Sequence, residues 1–86
     1  MPRYYFHLYA KELMRDEVGE DLPGLLTAGE VARRSIGELI AEQIAQGQVV
    51  DLGHRLEVEG DDGIVMVMKY GDLFTGATVN RAAPNS

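Results

Sequence analysis

The stretch TAGEVARRSIGELIAEQIAQG, residues 27–47, decides how the rest of the chain must fold. Ala28, Ala32, Ile36, Leu39 and Ile40 recur at three- and four-residue spacing, which places them on one side of a helix. Ile44 flanks this stripe. Arg33, Arg34, Glu38 and Glu42 fall on the other side, with Glu30 and Arg34 at the favourable i,i+4 spacing. Thr27 reads as the N-cap, Glu30 as its partner in a capping box, and Leu26 with Val31 as a hydrophobic staple. Gly47 is the expected stop, because glycine takes the left-handed conformation that ends a helix without steric cost. Gly29 and Gly37 each weaken the segment by about 1 kcal/mol relative to alanine, but cap, stripe and stop agree on a helix. An amphipathic helix needs an apolar surface to lie on, and the flanking segments must supply it.

On the N-terminal side, residues 3–9 alternate with the period of a strand. Tyr4, Phe6 and Leu8 point one way, and Arg3, Tyr5, His7 and Tyr9 the other. Ala10-Lys11-Glu12 reads as a turn and Leu13-Met14 as a short returning strand. The acidic stretch Asp16 to Asp21, interrupted by Gly19, reads as an exposed loop that Leu22-Pro23-Gly24 closes. On the C-terminal side, residues 54–59 alternate again, with Leu56 and Val58 opposed to Arg55, Glu57 and Glu59. Gly60-Asp61-Asp62-Gly63 is a hairpin turn. The following strand carries Ile64, Met66, Met68 and Tyr70 on one side, and Val65 and Val67 with Lys69 on the other. Apolar on both faces, it reads as a strand covered on both sides. Periodicity is lost from Thr75 to Ser86, which predicts a mobile tail after a single domain at residues 1–74. The expected fold is α+β: a small antiparallel sheet, in chain order β-β-α-β-β, with one amphipathic helix packed on one face.

Eighty-six residues form one core at most. The chain has no cysteine, which removes disulfides, thiolate metal sites and cysteine nucleophiles, and fits a reducing compartment. The opening Met1 to Tyr5 lacks the apolar core of a signal peptide, and no apolar run reaches bilayer length. A cytoplasmic location is the expectation. Eight basic against 14 acidic residues give a net charge of −6, and Arg33-Arg34 is the one adjacent basic pair. Nucleic acid and anionic membrane surfaces are therefore not expected partners, whereas a basic protein is compatible.

His7 and His54 lack the neighbouring ligands of a zinc site, so each reads as a hydrogen-bonded structural side chain, with a pH-sensitive pair across the sheet as the alternative. Asp16, Glu17, Glu20 and Asp21 do not follow the alternate-ligand spacing of a calcium loop, and Asp61-Asp62 is turn chemistry. Ser35 lies inside the helix and Ser86 at the terminus. Neither sits in a Gly-x-Ser-x-Gly turn, and no phosphate-binding glycine loop occurs. Met66 and Met68 read as core filling, with a groove that includes Met14 as the alternative. No catalytic residue, metal or cofactor is expected.

A single helix covers a single face. If Tyr4, Phe6, Leu8 and Met66 face it, then Tyr5, His7, Tyr9, Val65 and Val67 lie on the opposite face. A contiguous aromatic and aliphatic patch marks an interface, and these five residues are the interface candidates. The expectation is a non-catalytic protein-interaction module that forms a homo-oligomer or meets an unidentified protein partner. The alternative cover is the terminal tail folded back. The alternative function is a small-ligand binder or minor enzyme using His7 and the neighbouring tyrosines.

The opening Met1-Pro2-Arg3-Tyr4-Tyr5-Phe6-His7 resembles a family of short bacterial proteins, of uncharacterised function, that begin Met-Pro-Arg-Tyr-Phe-Phe-His. Asp16-Glu17-Val18-Gly19, Leu22-Pro23, the helix and Asp62-Gly63 follow in the same order as in that family. The resemblance runs over about residues 1–74 and implies a fold without implying an activity. Separately, Asp21 to Glu30 resembles the Asp-Leu-Pro-Gly-x-x-Thr-x-Gly-Asp segment of HicB-type antitoxins, which likewise enters a helix. Leu25 stands where those proteins carry cysteine. This second resemblance implies a subunit that neutralises a small basic toxin.

Overall fold

A computed structural model of the chain describes residues 1–75. The elements are β1 (Arg3–Tyr9), β2 (Leu13–Met14), β3 (Glu20–Asp21), α1 (Leu25–Ala45), β4 (Arg55–Gly60), β5 (Gly63–Lys69) and α2 (Asp72–Thr75). The fold is α+β, with the antiparallel sheet and single long helix expected from the alternation and the helical stripe. The sheet order is β2-β1-β4-β5, and β3 also pairs with β1.

The stripe on α1 packs as its spacing requires. Ala28, Ala32 and Ile36 are fully buried and Ile40 nearly so, against Tyr4, Leu22, Leu56, Val58 and Tyr70. Phe6, Leu8, Leu39, Met66 and Met68 pack around that centre. The small residues let the first half of the helix lie close to the sheet: a Cβ on Gly29 would stand 3.2 Å from Met66 Cε. The extents, 39 × 31 × 17 Å, are those of a slab two layers thick.

Both ends of α1 are set by glycine. Gly47, at φ 72°, closes a Schellman motif in which the Gln48 amide donates to Gln43 O at 2.9 Å and the Gly47 amide to Ile44 O at 3.0 Å. The start differs from expectation. Gly24 is the N-cap, no side chain caps the helix, and the Ala28 amide already bonds Gly24 O at 3.1 Å. The Pro23-Gly24 bend delivers the chain into the helix before Thr27, which therefore lies within the first turn. The capping box does not form, and Leu26, 82% exposed, makes no staple.

Two further expectations change. The acidic stretch is not wholly a loop, because Glu20 and Asp21 pair with Tyr4 and Arg3 as β3. The strand at residues 64–70 is not covered on both sides. β5 lies at the edge of the sheet, and Ile64, Val65 and Val67 are 51%, 42% and 50% exposed. The predicted tail, apart from Thr75, lies outside the described residues.

Candidate functional site

β1 pairs continuously with β4 from Tyr5 to Tyr9, but its pairing on the other side is interrupted. There β2 pairs with Leu8 and Tyr9, and β3 pairs with Arg3 and Tyr4. Residues 15–19 arch away between these two short strands, leaving the middle of β1 without a ladder partner. The Asp16 side chain takes that place. Its Oδ2 accepts the Phe6 amide at 3.1 Å, and its Oδ1 accepts the amides of Val18 at 3.1 Å and Gly19 at 3.0 Å. Gly19 holds φ 75°, and a Cβ there would fall 2.8 Å from the Tyr5 ring, so only glycine lets the arch lie this close to the sheet.

His7 completes the clasp from the far face, opposite the helix. The Asp16 amide donates to His7 Nδ1 at 3.0 Å, and His7 Nε2 lies 2.8 Å from Glu59 Oε1. An accepting Nδ1 puts the proton of the neutral ring on Nε2, which donates to Glu59. Both ring nitrogens are engaged, and the side chain is only 3% exposed. Burial alone raises the Asp16 pKa. The amides of Gly19, Phe6 and Val18, with a smaller electrostatic contribution from His7, more than reverse this and hold the carboxyl below its ordinary value. Beside the clasp is an open depression of about 350 Å³ between Tyr5, His7, Arg15, Glu17 and Glu59.

The five interface candidates are thus divided. Tyr5 and His7 lie with near-parallel rings, centroids 6.5 Å apart, under the arch. Tyr9 is capped by the Arg55 guanidinium, 4.2 Å from its ring centroid, and Arg55 Nε donates to Glu57 Oε2 at 2.7 Å. Val65 and Val67 lie beyond this charged row of β4, on the open edge with Ile64. The two histidines do not pair: His54 Nε2 is 3.5 Å from Asp51 Oδ2, and its ring meets Tyr70 edge-on. Among the described residues no group of three His, Cys, Asp or Glu could hold a metal ion, and no helix is long and apolar enough to cross a membrane. Asp16 is the residue sequence reasoning passed over. Its cue was the Asp-x-x-Gly spacing to Gly19, which allows the carboxylate to bond amides two and three residues on.

These features define a small α+β domain with one long helix, whose sheet has one face packed, half of the other clasped by a loop, and one apolar edge open. The chain belongs to the family described as a domain of unknown function, DUF6894, which it matches over residues 3–70, from the first residue of β1 to Tyr70. No curated protein and no solved structure matches it.

Proposed function

We propose that the protein is a non-catalytic interaction module that pairs with a second copy of itself along β5. The observation that carries this reading is the exposed row of Ile64, Val65 and Val67 on an edge strand of seven residues. Natural sheets protect their edges with charge, proline or short strands, and the one charged residue of β5 is Lys69. Antiparallel pairing about a two-fold axis is self-complementary, so one chain supplies both halves of such an interface. The engaged state of His7 supports a non-catalytic role, since a general base needs a ring nitrogen free for substrate. The cysteine-free sequence suits a cytoplasmic setting.

Light scattering on the full chain tests the proposal. A dimer is expected at high micromolar concentration, and Val67→Lys, unchanged in circular dichroism, is expected to be monomeric. A wild-type protein that stays monomeric, or a Val67→Lys protein that still dimerises, overturns it.

A further inference from the structure

Two fastenings hold the arch of residues 15–19 to the middle of β1. One is the Asp16 carboxylate, which accepts the Phe6 amide. The other is the Asp16 backbone amide, which donates to His7 Nδ1 at 3.0 Å. That second bond needs an unprotonated Nδ1. The other ring nitrogen lies 2.8 Å from Glu59 Oε1 and carries the one hydrogen of the neutral imidazole. A proton that reaches His7 therefore has a single place to bind, the lone pair that the Asp16 amide uses. Once Nδ1 carries hydrogen, two donors meet head-on and the bond is lost.

The surrounding charges draw that proton in. His7 is only 3% exposed, and a buried charge persists only where opposite charge compensates it. Glu59 of β4 touches the ring, and the Asp16 carboxylate on the arch interacts favourably with a positive His7. Glu17 borders the same depression, with Arg15 opposing it. Glu57, across from His7 in the β1–β4 register, is held by Arg55, and Tyr5 adds a parallel ring and no charge. Three carboxylates against one guanidinium favour the imidazolium, whereas the hydrogen bond from the arch requires the neutral ring. Such a conflict between two states of one side chain is what a proton switch consists of.

We propose that His7 is a proton-operated latch: neutral, it holds the arch against the sheet, and protonated at Nδ1 it releases the Asp16 amide and lets residues 15–17 swing away. The Asp16 carboxylate remains ionised at far lower pH and stays on the Phe6 amide, so the arch pivots about that anchor. The open depression between Tyr5, Arg15 and Glu59 widens as it does so. Opening takes up one proton, so its equilibrium constant rises by up to about ten-fold per pH unit as pH falls through the imidazole range. None of these groups lies on β5, and the latch works whether or not copies pair there.

Nuclear magnetic resonance of the full chain between about pH 8 and pH 5 tests the latch. At the upper limit the His7 ring is expected to have a bare Nδ1 and a protonated Nε2. On acidification, ring protonation and the Asp16 amide shift are expected to follow one curve. Hydrogen exchange of the Asp16 amide, corrected for its intrinsic pH dependence, is expected to rise about ten-fold or more, while the Phe6 and Ile36 amides keep their protection. Glu59→Gln removes a charge that favours the imidazolium and is expected to move the curve to lower pH. His7→Asn, which offers an acceptor oxygen that does not titrate, is expected to flatten it. The opposite tautomer at the upper limit overturns the proposal, as does a ring that stays neutral throughout. So does an Asp16 amide that ignores the titrating ring, or a curve that Glu59→Gln leaves in place.

Discussion

Replacing Asp16 by alanine is expected to destabilise the protein by about 2–3 kcal/mol, more than its place in an acidic surface stretch suggests. The carboxylate serves three backbone amides, those of Phe6, Val18 and Gly19. Val18 is exposed, and its amide can turn to water at little cost. Those of Phe6 and Gly19 are part-buried, and hydrogen bonds to a charged group contribute about 1.5–3 kcal/mol each, toward the low end where water has partial access. In a domain of this size the loss lowers the melting temperature by about 10–20 °C. Asp16→Asn should lose roughly half as much, because it keeps an oxygen for Val18 and Gly19 but turns an N–H₂ toward the Phe6 amide. The carboxyl titrates below its ordinary value in the folded protein, so its contribution is complete above the unfolded value near 3.8 and is lost as pH falls through the folded one. The stability gap between wild type and Asp16→Asn should therefore close below about pH 4. Urea unfolding at neutral and acid pH measures both effects. A loss under about 0.5 kcal/mol for Asp16→Ala, or a gap that stays constant with pH, would refute the reasoning.

Gly19→Ala should cost about 2 kcal/mol, since it forces a side chain into φ 75° and toward the Tyr5 ring and Arg3 Cγ. An unchanged urea midpoint would mean that the arch does not lie against the sheet. Ile36→Ala should cost about 2–5 kcal/mol as a fully buried core truncation. Thr27→Ala, by contrast, should stay within about 0.5 kcal/mol rather than the roughly 1 kcal/mol of a lost cap. Thermal unfolding of the pair distinguishes a helix that starts at Leu25 from one that starts after Thr27.

What was legible in the sequence was whatever a repeating side-chain pattern encodes. Ala28, Ala32, Ile36 and Ile40 gave the buried face of α1, and the alternation of Tyr4, Phe6, Leu8, Leu56 and Val58 gave the side of the sheet it covers. Gly47 marked the end because its conformation is a property of the residue itself. The start of the helix was harder to read, because Gly24 and Thr27 are both acceptable caps and the bend at Pro23 chooses between them. β3 was hidden because Glu20 and Asp21 carry no apolar signal, and their strand character comes from pairing with β1. An apolar run such as residues 64–70 reads alike in the centre of a sheet and at its edge, since sheet order is decided by distant segments. The role of Asp16 was faint for the same reason: its partners are backbone amides, which carry no residue letter.

The exposed row on β5 is not a by-product of filling the core. In an unbroken ladder Ile64 would share the helix-facing side with Met66 and Met68, as its even spacing implies. The register instead shifts between Val58 and Glu59, so that Val58 faces Met66 but Glu59 faces Ile64. Val65 is the extra residue, without a partner in the ladder and with its Cγ1 3.3 Å from where a Cβ on Gly60 would stand, and Ile64 is moved out of the core-facing series and opposite Glu59. The same Glu59 holds His7 Nε2 through its carboxylate, so the irregularity of the ladder and the clasp over the other half of the face meet at one residue. A β-bulge disrupts the ladder locally and bends its strand, and such bulges re-aim side chains at sheet edges. Here it takes an isoleucine from the packed side and sets it in the same series as Val67, and both stand half-exposed at the edge of the sheet. Folding of the monomer alone would favour the opposite placement, because burying Ile64 against α1 contributes about 1.5–3 kcal/mol that exposure forgoes. The self-pairing proposed along this edge would recover burial for the residue that the bulge exposes.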